Sequence, residues 1–168
     1  VDGGYGGTSF WTHAVNTPFG RVFLDKLQGK VFSLGKTLAI VSQTWDDTYR
    51  LDIQNLDDSD IFAGSEPLRE RVFLKLGTDM WDYNQERLSF ISKHSFHPHW
   101  MFSHSAFLYS NNTNASVGTR GIFKHSTGPT AVYYGVQYPS YITIVANMEN
   151  TLSKQFRGLE LLTKRTTE

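Results

Sequence analysis

Apolar and polar positions alternate along most of this chain and change to a helical period only near its end. Residues 21–24 and 31–34 are short apolar runs on either side of Gln28-Gly29-Lys30, a turn sequence, and are expected to form a hairpin. Residues 37–45 (TLAIVSQTW) are expected to pair with residues 49–56 (YRLDIQNL) across an Asp46-Asp47 turn. Aspartate suits such turns because it bonds its own backbone, and Leu51 and Ile53 alternate with Asp52 and Gln54 as in a half-buried strand.

Residues 57–67 (DDSDIFAGSEP) read as a long loop, followed by a strand in which Val72, Leu74 and Leu76 alternate with Phe73 and Lys75. Residues 77–86 (GTDMWDYNQE) are expected to turn the chain and residues 87–94 to return it. Further strands are expected at 99–109, 119–125, 130–137 and 141–146, with a polar loop at 110–116. Near the end, Met148, Leu152, Phe156, Leu159 and Leu162 follow steps of four and three, the spacing of one helical stripe. Asn147 or Asn150 can cap its start. The pattern therefore predicts one α+β domain over residues 1–168: a large twisted antiparallel β-sheet packed against one C-terminal amphipathic helix at 147–164, after a flexible stretch at 1–7.

Composition adds limits on function. Sixteen basic and sixteen acidic residues cancel, which argues against the net basic face that nucleic-acid binding uses. No apolar run approaches the roughly 20 residues that span a bilayer, so membrane insertion is not expected. There is no cysteine, which removes thiol chemistry and fits folding in a reducing compartment. Aromatics reach 14% while charged residues fall to 19%, a profile of short strands and turns. The polar ends, VDGGYGG and TKRTTE, suggest a domain cut from a longer polypeptide, with Lys164-Arg165 as a trypsin-like site; the same cations also suit a helix C-terminus.

Candidate chemistry is sparse. His94, His97, His99 and His104 lie close together, but Pro98 separates the central pair and no HExxH or acidic partner accompanies them, so no metal or other cofactor is expected. No GxSxG elbow occurs. Carboxylates for glycan hydrolysis exist at Asp46, Asp47, Asp79, Asp82 and Glu86, although turn aspartates usually serve the backbone. The aromatic positions carry the preferred reading. Trp81-Asp82-Tyr83-Asn84 places two large rings and two polar groups at an expected loop tip, Trp45 abuts the Asp46-Asp47 turn, and Tyr133-Tyr134 cluster with Tyr138 and Tyr141. Sugars present apolar C–H faces rimmed by hydroxyls, so a flat ring beside Asp, Asn, Arg or His suits them. Trp81, Asp82, Tyr83, Asn84 and Trp45 are the candidate carbohydrate-binding residues; each ring could equally belong to the core. The sequons at Asn111 and Asn114 suggest an exposed loop.

In its size, lack of cysteine, Tyr- and Asn-bearing loops and terminal Lys164-Arg165, the chain resembles the protease-released receptor-binding head of the rotavirus outer-capsid spike protein, of a divergent group. The resemblance implies a long twisted sheet clasping the helix. It also implies a non-catalytic head that binds cell-surface glycans during host-cell attachment, joined to the remainder of the same spike polypeptide. Such a protein folds in the host cytoplasm and is displayed on the virion surface; a plain cytoplasmic location is the alternative. The other functional readings are a small carbohydrate-active hydrolase and a purely structural capsid or interaction domain.

Overall fold

A computed structural model describes residues 7–8, 10–139 and 141. The C-terminal helix expected at 147–164 and the flexible stretch expected at 1–7 lie outside the described residues, apart from Gly7. Among the described residues antiparallel strands dominate, and one α-helix accompanies them, so the fold is broadly α+β. The expected single large sheet is not found: among the described residues the strands form four small sheets. The first is a meander of β1 (Ala14–Thr17), β2 (Gly20–Asp25), β3 (Lys30–Leu34) and β4 (Leu38–Ile40). A second meander joins β5 (Ile61–Glu66), β6 (Arg71–Leu76), β7 (Asp79–Asn84) and β8 (Ser89–His94). Strands β9 (Met101–His104), β10 (Phe107–Asn112) and β11 (Gly121–Lys124) make a third sheet, and β12 (Val132–Tyr133) with β13 (Val136–Gln137) a short hairpin.

The second sheet is central because it is covered on both faces. Its register sets Ile61, Leu76 and Asp79, then Ala63, Leu74 and Trp81, then Ser65, Val72 and Tyr83 side by side. Side chains alternate across a strand, so these residues share one face, and Phe62, Gly64, Glu66, Arg71, Phe73, Lys75, Met80 and Asp82 share the other. The first face packs on Val22, Leu24, Val31, Trp45 and Ile53 from the first sheet and the segment after it. The second face packs through Phe73 and Met80 on Phe96, Met101, Leu108 and Tyr134. Gly64 marks how closely the third sheet approaches: a Cβ there would meet Leu108 Cδ1 at 2.6 Å. Burial on both sides explains why residues 72–76 are apolar almost without interruption. Lys75, the exception, holds its ammonium 5.5 Å from the Phe62 ring centroid and 3.6 Å from Asp60 Oδ1.

Three of the sequence expectations fail. Residues 49–56 do not pair as a strand; Asp47–Gln54 forms the helix α1. Asp46 is its N-cap, accepting a hydrogen bond from the Tyr49 backbone N–H at 2.8 Å. Leu51 and Ile53 would share a face in a strand but lie on opposite sides of a helix. Ile53 is fully buried while Leu51 is 57% exposed. Tyr49, Ile53 and Leu56, spaced by four and three, pack on the first core instead. The loop expected at 57–67 is mostly strand β5. Asn111 is buried, its Oδ1 accepting from the Trp100 N–H at 2.7 Å, so of the two sequons only Asn114 is exposed.

Candidate functional site

Residues 81–84 form the inner strand β7 and not a loop tip. Alternation sends Trp81 and Tyr83 to one face of the central sheet and Asp82 and Asn84 to the other, so the four cannot act together on one ligand. Trp81 packs with Trp45, Tyr49 and Phe90 at ring-centroid distances of 5.5, 5.9 and 5.5 Å. Its indole N–H donates to the Tyr49 hydroxyl, and the Lys93 ammonium lies 4.5 Å from its ring centroid. Trp45 is buried in the same cluster, and Tyr83 has no exposed surface. Asn84 serves the following turn, its Oδ1 accepting from the Arg87 N–H at 2.7 Å. These rings are core, and an apolar cluster explains them without a ligand.

Asp82 belongs to a different constellation, on the second face. Strand β5 ends at Glu66, a tight turn over Pro67–Arg69 follows, and Glu70 adopts the left-handed conformation at φ 55° before β6 begins at Arg71. Register sets Glu66 opposite Arg71, Phe73 opposite Asp82, and Asp82 opposite Ser92. Asp82 is fully buried, and its Oδ2 accepts from Arg71 Nη1 at 3.0 Å, with His94 Nε2 at 3.3 Å and Ser92 Oγ at 3.4 Å. The Tyr133 hydroxyl lies 3.4 Å from His94 Nδ1. One tautomer satisfies both neighbours: Nε2–H donates to the carboxylate and Nδ1 accepts from the phenol. Two carboxylate oxygens, Glu66 Oε1 and Asp82 Oδ1, are buried without a hydrogen-bond partner.

The hairpin β12–β13 and the segment before it bring the other wall. Tyr133 stacks on Phe96 at 4.2 Å with planes 13° apart. Beneath it, Ser110 Oγ lies 2.6 Å from His125 Nε2 and 2.8 Å from the Tyr134 hydroxyl. This chain ties β10 to the hairpin. It resembles a nucleophile–base pair only in its distances. Ser110 has no exposed surface, and burial pushes the His125 imidazole down to about 4, leaving a weak base. Burial also raises the Tyr133 and Tyr134 phenols, so both remain protonated near neutrality.

Between the two walls lies a cleft of about 950 Å³. Glu66, Arg69, Arg71 and His94 line one side; residues 122–135, Tyr133 among them, line the other. Arg69 is exposed and forms no hydrogen bond or ion pair with another described residue. Of the acidic candidates, Asp46 and Asp47 are committed to α1, and Asp79 to Tyr49 and Lys93. His97 and His99 are exposed, and among the described residues no three His, Cys, Asp or Glu side chains gather as metal ligands. No described helix is long and apolar enough to cross a membrane. The Tyr133-Tyr134 cluster and His94 were visible in the sequence. Glu66, Arg69 and Arg71 were not, because only the pairing of β5 with β6 and the approach of the hairpin assemble them. No protein-family model matches the chain, and no curated protein matches it.

Proposed function

We propose that the domain recognises glycans in the cleft between the Glu66–Arg71 turn and the β12–β13 hairpin, and that it serves host-cell attachment as the head of a viral surface spike. The cleft itself carries the proposal. It pairs a half-buried tyrosine ring and apolar wall residues with a carboxylate, two guanidinium groups and an imidazole. That mixture suits a sugar, whose hydroxyls both donate and accept hydrogen bonds around apolar C–H faces. Arg69, exposed and without a hydrogen bond or ion pair to another described residue, is a ready donor to a sugar hydroxyl. A monosaccharide-sized contact gives a dissociation constant on the order of 0.1 to 1 mM, which many copies on one particle make adequate.

Recognition is favoured over hydrolysis by the disposition of the carboxylates. Glycoside hydrolysis uses two carboxyl groups on opposite sides of the sugar. Here both carboxylates near the cleft, Glu66 and Asp82, are buried, at 1% and 0% exposure, so neither stands free to flank a sugar. The test is a glycan array probed with the domain displayed multivalently, beside Arg69→Ala. The wild type should bind a defined set of glycans, and the variant should lose that signal while keeping its melting temperature. A multivalent wild type that binds nothing sinks the proposal and favours the structural alternative.

A further inference from the structure

The β12–β13 hairpin forms one wall of the cleft through Val132, Tyr133 and Tyr134, yet it belongs to none of the three larger sheets. Its ladder is two residue pairs long, and a two-stranded hairpin alone is marginal in water. Ala131 and Tyr134 hold φ at 58° and 55°, a conformation that costs residues with a Cβ energy. Among the described residues its one backbone tie to the rest of the fold is the Thr119 N–H, which donates to the Tyr134 carbonyl at 2.7 Å. Side chains therefore hold it in place. Tyr133 stacks on Phe96 and Tyr134 packs on Phe123, while the two hydroxyls lead to histidines, Tyr133 directly to His94 and Tyr134 through Ser110 to His125.

The second of these links has a direction. Tyr134 is 2% exposed, so its O–H needs an acceptor inside the protein, and Ser110 Oγ supplies one at 2.8 Å. The Ser110 hydroxyl then donates onward to His125 Nε2 at 2.6 Å, which requires a neutral ring with its proton on Nδ1. A proton taken from water onto Nε2 turns that acceptor into a donor. Ser110 must reverse, the Tyr134 hydroxyl loses its acceptor, and a charge stands on a buried ring. We infer that protonation of His125 unlatches the β12–β13 hairpin, so that one wall of the cleft opens in acid. The groups around the ring do not favour the added charge. His94 on β8 opposes it, Arg69, Arg71 and Lys124 on the cleft walls are cations, and the Tyr133 and Tyr134 phenols are neutral. Of the carboxylates, Asp82 is bonded to Arg71 and His94, and Glu66 stands opposite Arg71. For the glycan reading this means a site that loosens in acid; the release of the hairpin itself does not depend on that reading.

With the hairpin closed, burial holds the His125 imidazole down to about 4; once the hairpin opens, the ring titrates near its free value of about 6.5. Opening is therefore rarest above pH 6.5 and gains as pH falls toward 4, by about twentyfold between pH 7 and pH 5. Amide hydrogen exchange on the full chain, corrected for the intrinsic pH dependence of exchange, tests this with no glycan present. Thr119 and Tyr138 report the hairpin, since their N–H groups bond the Tyr134 and Ala131 carbonyls. Their protection should fall about twentyfold from pH 7 to pH 5 and stay below that of Leu74 in the central sheet at both. In His125→Gln the fall should shrink to about twofold or less. In the wild type alone, the His125 ring resonance should titrate about one pH unit or more below 6.5. Protection that does not fall, protection at Thr119 and Tyr138 equal to that of Leu74, an equal fall in the variant, or a ring that titrates near 6.5 would each overturn the inference.

Discussion

Acidification should weaken this fold through His125, and the size of the effect can be worked out. The imidazole is 8% exposed, packed 5.0 Å from Phe96, and bonded through Nε2 to the buried Ser110 hydroxyl. Burial lowers its folded pKa to about 4, and proximity to His94 acts in the same direction. In the unfolded chain the same group titrates at about 6.5. Between those values the unfolded state binds the proton and the folded state does not, so stability is full above pH 6.5 and falls as pH drops toward 4. For these two pKa values the loss from pH 7 to pH 5 is about 2 kcal/mol, a large share of a typical domain's stability. The assay is urea unfolding at pH 7, 6 and 5 for the wild type and for His125→Gln. His13 is also pushed down, chiefly by burial, and contributes to both proteins equally. The wild type should therefore lose more stability than the variant, by about 2 kcal/mol over that range. Equal losses in the two would refute the reasoning.

Two further perturbations test the fold. Trp81→Ala should cost about 3 kcal/mol or more, because it opens a hole among Trp45, Tyr49 and Phe90. A melting temperature within a degree or two of wild type would instead return Trp81 to the list of surface candidates. Asp46→Ala should lower stability by about 1 kcal/mol through loss of the α1 cap, while Asp46→Asn retains most of it; chemical denaturation of the three proteins measures both.

The strands legible in the sequence are those whose surroundings follow from local pattern. Residues 21–24, 31–34 and 72–76 lie within observed strands, because alternation or a continuous apolar run beside a glycine turn is a local signal. Residues 49–56 show where local pattern misleads. Leu51 and Ile53 fit a period of two, but Tyr49, Ile53 and Leu56 fit a helical period as well. The Asp46 cap and the position of the core decide between them. Trp81-Asp82-Tyr83-Asn84 looked like a turn because Asp and Asn are turn residues. The partners that place Asp82 inside, Arg71 and His94, stand eleven and twelve positions away on neighbouring strands. The cleft was least legible of all. Glu66 and Tyr133 are 67 positions apart in sequence, and nothing in either segment alone indicates that they share one site.

Glycan recognition in the cleft is the central claim, and mapping the bound sugar on the labelled protein tests it most directly. With the glycan selected on the array, amide shifts should concentrate on Glu66, Arg69, His94, Thr127, Thr130 and Tyr133, and Arg69→Ala should abolish them. Shifts centred on Trp81 and Trp45, or no saturable shift with any array-positive glycan, would contradict the account.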